Sequence, residues 1–166
     1  MSCSANQSPQ HRTDVGRVLP RLVTDARVAA RIADGQDRRA ASAVLADVYA
    51  LVQHEVVWAS EAELNWTAAD RAMSAAQDAD TPSALAGAAW TLGMVQRSCG
   101  DTDGALTLAR DAAGLLEPRL EDADDETRAL YGALQLHAAT TAARAGREGD
   151  AWRHRDAASA TAARPT

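Results

Sequence analysis

The chain contains no lysine and no phenylalanine. The missing lysine removes the phosphate-pairing side chain that kinases and P-loop nucleotidases depend on, and no Gly-rich loop of either kind occurs. All 17 cationic residues are therefore arginine. Such a bias also follows from a GC-rich genome and carries little functional information. Two cysteines, Cys3 and Cys99, stand far apart, and Cys3 lies in a polar N-terminal stretch, so no structural disulfide is expected. No apolar run approaches the roughly 20 residues needed to span a bilayer. Ser2–Arg12 is polar and offers no signal-peptide core. The expected location is the cytoplasm, with no membrane partner. A net charge of −6 lacks the basic face a free-standing nucleic-acid binder needs.

What is abundant is alanine, at 40 of 166 residues. Alanine and arginine favour helix, while the strand-favouring aromatics are scarce. The composition predicts an all-α chain of one domain. Residues 1–16, rich in Ser and Gln, have no apolar period and read as a disordered arm. The folded part is residues 17–166.

Helical periodicity predicts about seven helices. Leu19, Leu22, Val23, Ala26, Ala30 and Ala33 form the stripe of the first, which Gly35 ends. The second, about Asp37–Trp58, would bury Ala40, Val44, Leu45, Val48, Leu51, Val52 and Val56. A turn near Ser60 leads to a third at about Glu61–Asp78. Pro82 falls in the first turn of a fourth, which stops at Gly100. Asp101 caps a fifth, ending near Glu117 before Pro118. The acidic Glu121–Glu126 begins a sixth, capped by Gly146. The seventh spans about Glu148–Ala163.

Small residues recur in a fixed frame. Gly93-x6-Gly100-x4-Ala105-x6-Ala112 is followed, 46 residues on, by Ala139-x6-Gly146-x4-Ala151-x6-Ala158. Such an internal repeat predicts stacked helix hairpins whose small residues let the paired helices approach closely. Leu45, Ala46, Tyr49, Ala69, Ala76 and Pro82 form a degenerate third copy with a longer first helix.

The frame resembles a tetratricopeptide repeat: Leu92-Gly93 in the first helix, Gly100 at the turn, and Pro118 after the second helix. That resemblance implies a right-handed α-solenoid of antiparallel hairpins. A wider set of segments, Leu19-Pro20-Arg21-Leu22, Asp37-Arg38-Arg39-Ala40, Ala69-Asp70-Arg71-Ala72-Met73, Leu115-Leu116-Glu117-Pro118 and Gly149-Asp150-Ala151-Trp152, occurs in order. Together they resemble the C-terminal sensor half of actinobacterial helix-turn-helix (Xre-type) transcriptional regulators, over about Val18–Thr166. In that family a DNA-binding domain comes first. Here a 16-residue polar arm precedes the repeats, so this chain is not expected to bind nucleic acid by itself.

Catalytic motifs are absent or broken. His54-Glu55 begins a zincin pattern, but Trp58 stands where the second histidine belongs. His154-Arg155-Asp156 spells a kinase triplet inside a helix. Glu121, Asp122, Asp124, Asp125 and Glu126 lack the central glycine and alternation of a calcium loop. No enzyme activity, metal or cofactor is expected. The four tryptophans, Trp58, Trp66, Trp90 and Trp152, are expected at helix junctions, with Trp90 the one that could also serve a ligand.

By the tetratricopeptide resemblance, Trp90, Met94 and Arg97 lie on the groove side of their helix, and Leu136, Thr140 and Arg144 take similar places one repeat later. An apolar anchor beside arginines suits a protein or peptide with an acidic group. The expectation is a non-catalytic binding module, the sensor or interaction part of a regulator. The alternative is an oligomeric scaffold, paired through the uncapped last helix.

Overall fold

The computed structural model describes residues 9–57 and 61–162, with side chains from residue 15 onward. Cys3, Trp58 and Ser60 lie outside the described residues. Among these residues the chain forms seven α-helices and no strand. It divides into two compact units, Met1–Ala79 and Asp80–Thr166.

The first unit holds α1 (Pro9–Ile32), α2 (Gly35–Val56) and α3 (Ala62–Ala79), with α2 packed on both neighbours. Helix α1 starts at Pro9, inside the stretch read as a disordered arm; residues 1–8 lie outside the described residues. Proline suits the first turn of a helix, and Gly16 in its interior costs only about 1 kcal/mol. Gly35 follows α1 with φ +56°, a conformation that glycine adopts without strain.

Alanine makes the core of this unit. Ala68, Ala69, Ala72, Ala75, Ala76 and Ala79 of α3 are all buried. The face α2 turns inward differs from the expected one. Ser42, Ala46, Val48, Tyr49 and Gln53 are buried, whereas Ala40, Val44 and Leu51 are exposed. Leu22 of the expected α1 stripe is also exposed. The physical reason on α2 is a polar pair: the Gln53 side-chain amide donates to Asn65 Oδ1 at 2.9 Å, with both residues buried. A satisfied polar pair between helices is compatible with burial, and it turns α2 by about one residue relative to its most apolar face. Apolar periodicity alone cannot register that.

The second unit holds α4 (Pro82–Ser98), α5 (Thr102–Leu116), a single 3-10 turn at Glu117–Arg119, α6 (Asp125–Arg144) and α7 (Glu148–Ala162). Side-chain caps start three of these helices. Thr81 accepts from the Ala84 N–H at 3.3 Å, Asp101 from Gly104 at 2.9 Å and Asp124 from Thr127 at 2.8 Å. Position 104 must be glycine for that geometry, because a Cβ there would collide with the Asp101 carboxylate. The Asp124 cap places the acidic residues 121–124 before α6 rather than in its first turn, as expected from the sequence.

The repeated frame becomes two hairpins, α4–α5 and α6–α7, and their turns match atom for atom. Gly100 (φ +87°) and Gly146 (φ +72°) are both left-handed. At the first turn, the Gly100 N–H donates to Arg97 O at 3.2 Å and the Asp101 N–H to Gln96 O at 3.0 Å. At the second, Gly146 donates to Ala143 O at 3.1 Å and Arg147 to Ala142 O at 2.9 Å. This is the Schellman pattern, which satisfies carbonyls left open at a helix end.

Helix α6 packs against both α4 and α5, so the second hairpin stacks on the first. Leu106, Ala109, Ala138 and Ala142 form the core there, with Ala151 packed against them. Gly93, Ala105, Ala112 and Ala158 are buried, and Ala139 and Ala151 are half-buried. The small-residue frame therefore lies at helix contacts in both copies.

Ala105→Leu adds bulk where no accessible surface remains and should cost about 1–3 kcal/mol in urea unfolding. Ala151→Leu, at a half-buried site, should cost less. Equal stability of the Ala105→Leu variant and the parent chain would remove Ala105 from the interface.

Candidate functional site

Helix α4 places Trp90, Met94 and Arg97 at i, i+4 and i+7, which puts them on one face. Helix α6 does the same with Leu136, Thr140 and Arg144. All three α4 residues are half-buried, and the three α6 residues are exposed. Because α4 and α6 pack directly, the two rows border one surface of the second unit.

The arginine at its centre is held from two sides. Arg97 Nη2 donates to Met94 Sδ at 3.0 Å, and Arg97 Nη1 meets His137 Nδ1 at 3.2 Å. A guanidinium is donor only, so His137 Nδ1 accepts and the ring proton sits on Nε2. Arg144 lies close enough that, after burial, it is the second cause lowering the Arg97 pKa. Among the described residues neither Arg97 nor Arg144 has an ion-pair partner. The site thus holds two adjacent cations, one desolvated in part and fixed in orientation, beside Trp90 and Met94. An anionic group would relieve their repulsion and gain charge-assisted hydrogen bonds.

His137 was not identified from the sequence. It is 96 % enclosed, and its Nε2 lies 3.0 Å from where a Cβ on Gly93 would stand. Gly93 therefore does more than let helices approach: it leaves room for the imidazole. The Nε2 atom makes no hydrogen bond of normal geometry. Burial first, then the Arg97 charge, push the His137 pKa from 6.5 down to about 4, and the Gly93 carbonyl dipole opposes this in part. The ring is neutral near pH 7 and serves as an acceptor for Arg97.

A second histidine ties the repeats together. His154 of α7 donates from Nδ1 to Gln135 Oε1 at 2.7 Å and accepts at Nε2 from Arg110 Nε at 3.2 Å. Arg110 also pairs with Asp150 at 3.2 Å. Burial and Arg110 lower the His154 pKa. Arg147 and Asp103 form a further ion pair between the two hairpins. The two histidines meet arginines rather than each other. Among the described residues no group of three His, Cys, Asp or Glu could hold a metal ion.

Leu136 also lines a cleft of about 460 Å³ between α6 and α7, with Ala129, Ala133, Ala158 and Ala162. The Thr140 hydroxyl turns back to Leu136 O at 2.8 Å, leaving its lone pairs outward. Two tryptophans depart from the expected junctions. Trp66 is exposed, and Trp152 is exposed under Arg155, whose guanidinium lies 4.6 Å from its ring centre. His154-Arg155-Asp156 runs along the middle of α7, and Arg155 pairs with Asp156 beside it.

The histidines set a pH dependence. The unfolded chain protonates His137 at about 6.5 and the folded chain only at about 4. Between these values the unfolded state binds more protons, so stability falls as pH falls and the loss is complete below pH 4. The shift corresponds to at most about 3 kcal/mol. His137→Gln should remove that part of the difference between urea midpoints at pH 6.5 and pH 4. An unchanged difference in the variant would exclude a buried neutral His137.

No family model matches this chain, and no curated protein or solved structure compared with it is similar.

Proposed function

We propose that this chain is a non-catalytic helical-repeat module that binds a protein or peptide through the α4–α6 surface, as the sensor or interaction part of a transcriptional regulator. The observation that carries the reading is Arg97: partly buried, oriented by His137 and Met94, beside Arg144, and without an acidic partner among the described residues. Cations held this way at a cost in desolvation suit a ligand carboxylate better than solvent. Trp90 supplies apolar surface, and Leu136 extends it along α6. Trp and Arg are the side chains on which binding energy concentrates.

The regulator assignment, the tetratricopeptide relationship and the cytoplasmic location belong to this proposal. They rest on the repeated frame and the ordered segments described above. Among the described residues no helix is long and apolar enough to cross a membrane.

An array of peptides that pair an aromatic or aliphatic residue with a carboxylate provides the test. Arg97→Ala should weaken the best binder at least about tenfold, the range for losing one hydrogen-bonded charge pair. Trp90→Ala with Arg97→Ala should abolish binding while the far-ultraviolet CD signal stays unchanged. Normal binding by the folded double variant would place the ligand elsewhere.

A further inference from the structure

Helix α1 has two apolar faces. One, with Leu19 and Ala26, is buried. The other carries Val18, Leu22, Val28 and Ile32, which are 60, 37, 48 and 75 % exposed. At 100° per residue these four fall within an arc of about 120°. Arg21 and Asp25 lie in the same arc, 3.6 Å apart as an i,i+4 ion pair. A helix with one buried stripe is ordinarily polar on the other side. Four large apolar residues gathered on that side mark an interaction surface.

Their order identifies the partner. Val18 and Ile32 stand equally far from Asp25, and so do Leu22 and Val28. The stripe therefore reads the same from either end. An isologous contact makes this demand, because residue i meets j and j meets i about a twofold axis. A foreign helix imposes no such symmetry.

We infer that α1 pairs with α1 of a second copy of this chain, antiparallel, about a twofold axis beside Asp25. Val18 then lies opposite Ile32 and Leu22 opposite Val28, each contact occurring twice. Two Asp25 carboxylates meet at the axis, and one Arg21 guanidinium flanks them on each side. This charge cluster is complementary only when the axis passes at Asp25, so it holds the register that the apolar pairs alone would leave loose. The Leu136 cleft between α6 and α7 has no comparable self-complementary order, and the α1 pairing leaves the Arg97 surface untouched.

Sedimentation equilibrium of the full chain at up to about 100 μM is the first measurement. The apparent mass should be twice 17.5 kDa. Leu22→Asp with Val28→Asp, both at exposed positions, should halve it while leaving the helical CD signal intact. A monomeric parent chain overturns the inference, and so does a double variant that remains dimeric, since pairing would then use the α6–α7 cleft or the exposed Val44 and Leu51 of α2.

A cross-linking experiment tests the orientation in a Cys3→Ser, Cys99→Ser background. Asp25→Cys should cross-link through a short bismaleimide. Val18→Cys should not, because antiparallel pairing separates the two positions by about 20 Å along the helix axis. Cross-linking at position 18, or none at position 25, overturns the antiparallel pairing.

Discussion

Close approach between helices whose contacting side chains are alanine and glycine is the constraint on which the rest of the structure depends. Each such contact buries little apolar area, so stability has to come from many contacts at short range. Ala69, Ala72, Ala76 and Ala79 in the first unit and Ala105, Ala138 and Ala142 in the second have essentially no accessible surface. The largest wholly buried side chains are Leu106, Leu116 and Leu134. A core of this kind tolerates added bulk poorly, because filled space leaves nowhere for a new methylene. It also keeps backbones near one another, and nearby backbones let short polar side chains reach across.

Those polar reaches decide specificity in this molecule. Gln53 with Asn65, Arg97 with His137, and His154 with Gln135 and Arg110 each connect different helices. Every one of them uses a donor and an acceptor of fixed position, where an alanine contact accepts several registers. The alanines hold the helices together, and the polar pairs select one arrangement.

Much of the fold follows from local sequence. Helix count, the caps at Asp101 and Thr81 and the reversals at Gly100 and Gly146 depend on residues within one turn, and such rules are short-range. The repeated frame gave the helix contacts because it samples the same geometry twice. The misreadings have one origin. The inward face of α2, the exposed Trp66 and Trp152, and the burial of His137 all depend on what a distant helix presents. Residue 137 falls 46 positions after Thr91, so the repeat offered no histidine to compare it with. The one clue was Gly93: a glycine inside a helix costs stability and so implies a close neighbour, though not which one. The Trp90, Met94 and Arg97 row could be drawn from helical spacing alone. The state of Arg97, held and without an acid, required the coordinates.

The ties between the two hairpins bear on how such a chain can grow. Arg110 with His154, and Asp103 with Arg147, pair different residue types at non-equivalent places in the frame. The hairpins share a backbone plan but not an adhesive surface. A duplicated hairpin inserted between them would find neither partner, and each insertion would have to invent its own polar match. Lengthening by duplication is therefore open at the ends of this array and closed at its middle, so the two copies record an old duplication rather than an interchangeable module.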